Sequence, residues 1–184
     1  MKSTENTNAE RILQDGWNLF QQKGYRGVSV DEICLKCGIT KPTLYYHFKD
    51  KENLFVEVLL SRLHGFHEII EQGGPLEARL ENIVTSMLGS FTASYSHLVH
   101  DLGHIQRKEN VSRIHKAFAD EIYSPITALM QSAVDAGELN GDAKFLSHLF
   151  MGIVENYISH AHEFGNNSKP LASKLVAFFL KGAG

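Results

Sequence analysis

Apolar residues in this chain recur every three to four positions almost from end to end, and the strict alternation of a half-buried strand is scarce. Ile12, Leu13, Leu19 and Phe20 mark one such stripe, and Leu80, Ile83, Val84, Met87, Leu88 and Phe91 mark another. This is the period of amphipathic helices, so the expected fold class is all-α. Hydrophobic residues make up 43% of the 184, enough to build a packed core and too many for a disordered chain. No uncharged apolar run approaches the ~18 residues of a membrane span. The polar start, MKSTENTNAERILQ, has no apolar signal region. Two cysteines exclude a disulfide scaffold and fit a reducing compartment, so a cytoplasmic location is expected.

Punctuation divides the pattern into about nine helices. The first is expected over about 8–23, where Gly24 stops it. Gly16 lies in its middle, a weak point that suggests close packing by a neighbouring helix. Ser29 and Glu32 have capping-box spacing, which starts a second helix at about 30–37. Thr40 is a good N-cap and Pro42 suits a first turn, where no amide donor is needed, so a third helix covers about 41–47. Further helices are expected over about 51–70, 76–95, 96–108, 111–136 with a kink near Pro125, 142–163 and 170–181.

The second and third helices are short, and only CGIT separates them. Two short helices around a tight glycine turn form a helix-turn-helix, whose second helix presents its N-terminal side chains to DNA bases. The net charge of −3 rules out a bulk polycation, but its distribution is uneven. Residues 1–56 carry 8 Lys and Arg against 7 Asp and Glu, leaving all the net negative charge to the remainder. The N-terminal part is therefore the better partner for a polyanion.

The stretch ILQDGWNLFQQKGYRGVSVDEICLKCGITKPTLYYHFKDKENLF resembles the DNA-binding domain of the TetR family of bacterial transcriptional regulators. The likeness is close over about residues 8–56. Beyond that it rests on helix number and length. It implies a helix-turn-helix DNA-binding domain at 1–50 and an effector-binding and dimerisation domain at 51–184. It implies that Lys41, Thr43, Tyr45 and Tyr46 contact DNA, with Thr40, Pro42 and His47 beside them and with Ser29 and Lys51 holding phosphates. Gly16, Cys34 and Cys37 depart from the alanine usual there, off the contact surface. Helix N-termini at Ser29, Thr40 and Asp50 suit phosphate binding, and a threonine methyl can meet a thymine methyl.

Other residue groups are less specific. Cys34 and Cys37 have CxxC spacing, but on one helical face they read as small buried hydrophobes. His64 and His67 are three apart, and HLVHDLGH gathers His97, His100, Asp101 and His104 within a narrow arc. His100 and His104 have the spacing of a two-histidine metal clip. If the helices bearing them cross, His64, His100 and His104 are candidate metal ligands; the bland reading is a solvated polar face. No cofactor is expected. The resemblance also implies that part of the larger domain's core is a cavity, with His67, Phe91, His104, Phe118, Ile122 and Tyr157 as candidate lining. Leu146, Leu149, Phe150, Ile153, Tyr157, Leu175, Phe178 and Phe179 exceed what one inner stripe needs, which suggests a two-fold dimer built as a four-helix bundle.

The expectation is a homodimeric, ligand-responsive repressor that binds a palindromic double-stranded DNA operator. A metal-responsive regulator of the same fold and an interaction adaptor without specific DNA binding are the alternatives. No nucleophile–base pair or phosphate loop points to an enzyme.

Overall fold

The computed structural model describes residues 2–90, 101–160 and 168–184. Their regular structure is all helical, with no strand among the described residues. The chain forms two compact units, the first built from residues up to 62 together with 101–115, the second from 63–90, 116–160 and 168–184.

The first unit holds α1 (Lys2–Gly27), α2 (Val30–Cys37), α3 (Lys41–Phe48) and most of α4 (Lys51–Leu63). Its core is apolar, with Phe20 and Phe55 meeting edge to face at 5.1 Å. Gly16 is where α1 comes close to α4, since a Cβ there would lie 3.1 Å from Val58. Gly24, expected to end the first helix, breaks it at φ 69° instead, and a last turn continues to Gly27. The amide of Tyr25 beyond the break donates to the buried carboxylate of Asp101. The Ser29 side chain accepts the Glu32 amide at 3.1 Å, and Gly38 closes α2 in the left-handed region. Thr40 caps α3, as the spacing predicts.

Between α3 and α4, Lys49 takes φ 63° and ψ −45°, and the Asp50 amide reaches back two residues to the Phe48 carbonyl at 2.7 Å. This is the strained, positive-φ form of γ-turn. A side chain is disfavoured there, so Lys49→Gly is expected to raise stability by about 1 kcal/mol, read as a higher urea midpoint at unchanged slope.

The second unit contains α5 (Phe66–Glu71), α6 (Leu76–Ser90), α8 (Ser124–Asp135), α9 (Ala143–Ser159) and α10 (Ser168–Ala183). Helix α7 (Lys108–Phe118) begins in the first unit and ends in the second. Helix α10 packs along α6, and α9 along α8. Phe150 and Phe179 meet at 5.2 Å in the resulting core.

Three expected helices differ in form. The one expected over 51–70 stops at Leu63, because Gly65 adopts φ 95° and its amide is drawn to the Glu121 carboxylate at 3.3 Å; α5 then restarts the helix. Of the helix expected over 96–108, residues 96–100 lie outside the described residues. It has ended by Gly103, and the amides of Gln106 and Arg107 turn to the Glu52 carboxylate at 3.4 and 3.3 Å. The helix expected over 111–136 is α7 and α8 joined by a π-helical turn, Ala119–Tyr123. Pro125 has no amide hydrogen, and the Ser124 amide bonds five residues back to Ala119. That register points the Asp120 carbonyl at Pro125 and leaves it without a backbone donor.

Candidate DNA-binding face

Helix α3 divides its side chains cleanly. Leu44 and Phe48, four apart, are buried in the first unit and hold the helix down. Lys41, Pro42, Tyr45 and Tyr46 are exposed on its outer side, with Thr43 and His47 half-buried at the border. Tyr46 stands 76% exposed, its ring edge-on to His47 at 5.3 Å. A large aromatic held out on a short, well-anchored helix is poised to meet a partner.

The cap residues have dual use. The Ser29 and Thr40 hydroxyls close α2 and α3 while remaining at the surface, and Thr40 also shares a 2.9 Å hydroxyl contact with Thr43. The Lys41 ammonium lies 2.8 Å from the Asp31 carboxylate on α2. Lys51 sits at the start of α4 with its ammonium over the Tyr25 ring, 4.4 Å from the centroid. Burial lowers its pKa, the desolvation outweighing the pull of Asp101. Cys34 and Cys37 are buried free thiols, and burial pushes the Cys37 thiol up to about 11, which leaves it un-ionised and inert at neutral pH.

A support that the sequence reading missed lies behind this face. Asn110 is 2% exposed, and its amide donates to Glu52 at 2.8 Å and to Asn53 at 3.3 Å. Arg107 binds Asp50, and Arg113 binds Glu57 at 2.6 Å. Burial opposes the Asp50 charge, but bonds from the Asn53 amide and Arg107 carry its pKa below the ordinary carboxylate value. Residues 101–113 thus brace the N-terminal half of α4, which follows directly on α3. Nothing local in the sequence signals partners more than fifty positions apart.

In the second unit, α9 and α10 present an apolar groove of about 870 Å³ lined by Leu149, Ile153, Tyr157, Leu171, Phe178 and others. The expected dimer residues divide here. Leu146, Phe150 and Phe179 are buried in the unit's own core and Leu175 is buried along the groove, whereas Leu149 and Phe178 are exposed, with Ile153 and Tyr157 half-buried in the groove. Phe145, on the same helix as Leu149, extends the exposed apolar surface.

Residues 12–58 match the family model for bacterial regulatory proteins of the tetR family. The chain is 24% identical over 189 residues to the transcriptional regulator AcrR of Shigella flexneri, covering 94% of this chain and 87% of that protein. Together these matches support a regulator of the TetR family. The chain is also 29% identical over 134 residues to the transcriptional repressor KstR2 of Rhodococcus jostii, a match spanning 71% of this chain and 65% of that one. The fatty acid degradation regulator FadR of Bacillus halodurans shares the fold, with a TM-score of 0.79, 16% identity and 95% of each chain covered. Another solved TetR-like fold, FadR of Bacillus subtilis, is a complex with stearoyl-CoA; its TM-score is 0.77 at 13% identity, with 95% of this chain and 99% of that one covered.

Four of the candidate effector residues lie in the second unit. Ile122 is buried, Phe118 half-buried and His67 exposed in the second unit, while Tyr157 lines the α9–α10 groove. His104 belongs to the first unit, and Phe91 lies outside the described residues. Among the candidate metal ligands, His64 is exposed at 3.6 Å from Glu121, and His100 lies outside the described residues. No group of three or more His, Cys, Asp or Glu side chains is placed to hold a metal among the described residues.

His67 has a structural task instead. Its Nδ1 lies 3.2 Å from the carbonyl of Asp120, the one orphaned by Pro125, and its Nε2 lies 3.1 Å from Glu71. Both partners are acceptors, so the ring donates to both of them only as an imidazolium. The bond to the Asp120 carbonyl first, and the Glu71 carboxylate next, raise its pKa above the ordinary histidine value. A raised folded-state pKa stabilises below the unfolded value, and that stabilisation is lost as pH rises through the folded value. The His67 ring is expected to titrate above pH 6.5 by NMR, and the thermal-stability advantage of wild type over His67→Gln is expected to shrink from pH 5.5 to pH 8.

Proposed function

We propose that the protein is a homodimeric repressor that reads a palindromic DNA operator with α3 and releases it when a small molecule binds the second unit. The exposed strip of Lys41, Tyr45 and Tyr46 on a capped, anchored helix carries this reading. Tyrosine hydroxyls and a lysine ammonium reach base edges or phosphates, and the N-termini of α2 and α3 offer amides to the backbone. The apolar groove on α9 and α10, with Leu149 and Phe178 exposed, supports pairing with a second copy about a two-fold axis. Such an axis turns one recognition helix into two and matches a palindrome. Helices α4 and α7 both run across the boundary between the units, so an effector that favours one arrangement of the second unit can bias the first. The acyl thioester held by the Bacillus subtilis relative supports a small-molecule effector in this fold. Action on DNA in the bacterial cytoplasm follows from the same reading.

Selection from a random duplex library tests it. The wild-type protein is expected to enrich an inverted repeat, and Tyr46→Ala to enrich it poorly. Recovery of no shared sequence would contradict the reading.

A further inference from the structure

We propose that Asp31 is a specificity-determining residue: by holding the Lys41 ammonium, it keeps α3 from gripping any phosphate at hand. This rests on α3 being the DNA-reading helix. Asp31 lies in the first turn of α2, with 75% of its side chain exposed, and the Lys41 side chain is 47% exposed. Their 2.8 Å pair therefore lies on the outer face itself. The neighbouring acid, Glu32, holds Lys23 of α1 in the same way. Each acidic side chain in the first turn of α2 thus restrains a lysine from a flanking helix.

An ammonium has three donors. Asp31 occupies one and fixes where the other two point, which favours an acceptor in one place, such as the edge of one base. A phosphate offered elsewhere must draw Lys41 away and leave the carboxylate facing the DNA backbone. An exposed pair is weak enough to yield, so the restraint lowers sequence-blind binding without abolishing it. Asp31 also complements the N-terminal dipole of α2, a purely structural role. The two roles separate by salt dependence, since the dipole role changes stability and leaves counterion release alone.

The test compares two duplexes of equal length by fluorescence anisotropy between 50 and 200 mM salt: one selected by wild type, one with its sequence scrambled. Asp31→Asn is expected to bind the scrambled duplex about eightfold more tightly at 100 mM salt, with a salt slope steeper by about 0.9, the yield of one more lysine on a phosphate. The selected duplex is expected to gain less, so that discrimination falls. Asp31→Glu, which keeps the charge, is expected to stay near wild type, and adding Lys41→Ala to Asp31→Asn should erase the gain. An unchanged slope for Asp31→Asn on the scrambled duplex, or a gain that survives loss of Lys41, would overturn the role of Asp31 while leaving the regulator reading intact. Equal binding of all duplexes by wild type would overturn both.

Discussion

Phe150→Glu is expected to unfold the second unit, whereas Phe178→Glu is expected to leave each chain folded and separate the dimer. Both phenylalanines belong to the apolar surplus of α9 and α10, but they face opposite ways. Phe150 is 1% exposed and packs against Phe179, while Phe178 is 73% exposed beside the groove. An unpaired carboxylate at Phe150 carries a penalty of several kcal/mol after relaxation, on top of about 3–5 kcal/mol for the lost aromatic ring. A domain's whole stability is about 5–15 kcal/mol, so that sum removes most of it. At Phe178 the same charge meets water in the single chain, where surface changes stay within about 0.5 kcal/mol. It is buried only in the proposed dimer. Circular dichroism should show lost helix for Phe150→Glu alone. Sedimentation should show a folded monomer for Phe178→Glu against a wild-type dimer. A folded Phe178→Glu dimer at micromolar concentration places the interface elsewhere.

The second large effect is on DNA. Tyr46→Ala is expected to weaken binding to the selected duplex by about 5- to 150-fold, the range of a lost contact worth ~1–3 kcal/mol. The fold should be unaffected, because the Tyr46 side chain stands clear of the core that Leu44 and Phe48 share. Melting at the wild-type temperature with lost affinity is the expected pair of results. Unchanged affinity in a folded variant would remove Tyr46 from the contact set.

What could be read in advance was whatever has a local cause. The Ser29 and Thr40 caps, Pro42 in a first turn and Gly38 as a helix stop all act over three or four residues, and α2 and α3 fall where they point. Gly16 also foretold a close approach, although not its partner Val58. The breaks at Gly65 and in the π turn were harder to see. A glycine inside an apolar stripe is tolerated in many helices, and what fixes this one is Glu121, fifty-six residues away. A proline foretells a kink but not whether the helix bends or shifts register by one residue. The surplus of apolar positions on α9 and α10 was correctly seen, yet period alone does not separate the stripe that meets α6 and α8 from the stripe left outside. Phe150 and Phe178 lie on those two different stripes. The bracing of α4 by Arg107, Asn110 and Arg113 was invisible for the same reason as the Glu121 contact: it joins polar side chains far apart in the chain.

The central claim is that two copies of α3 read DNA together. Hydroxyl-radical footprinting of the selected duplex tests it most directly. The account predicts two protected patches related by two-fold symmetry, their centres about one helical turn or a whole multiple of it apart, both lost in Tyr46→Ala and reduced to weak, unpaired protection in Phe178→Glu. A single patch, protection without symmetry, or a footprint that Tyr46→Ala leaves unchanged would contradict it.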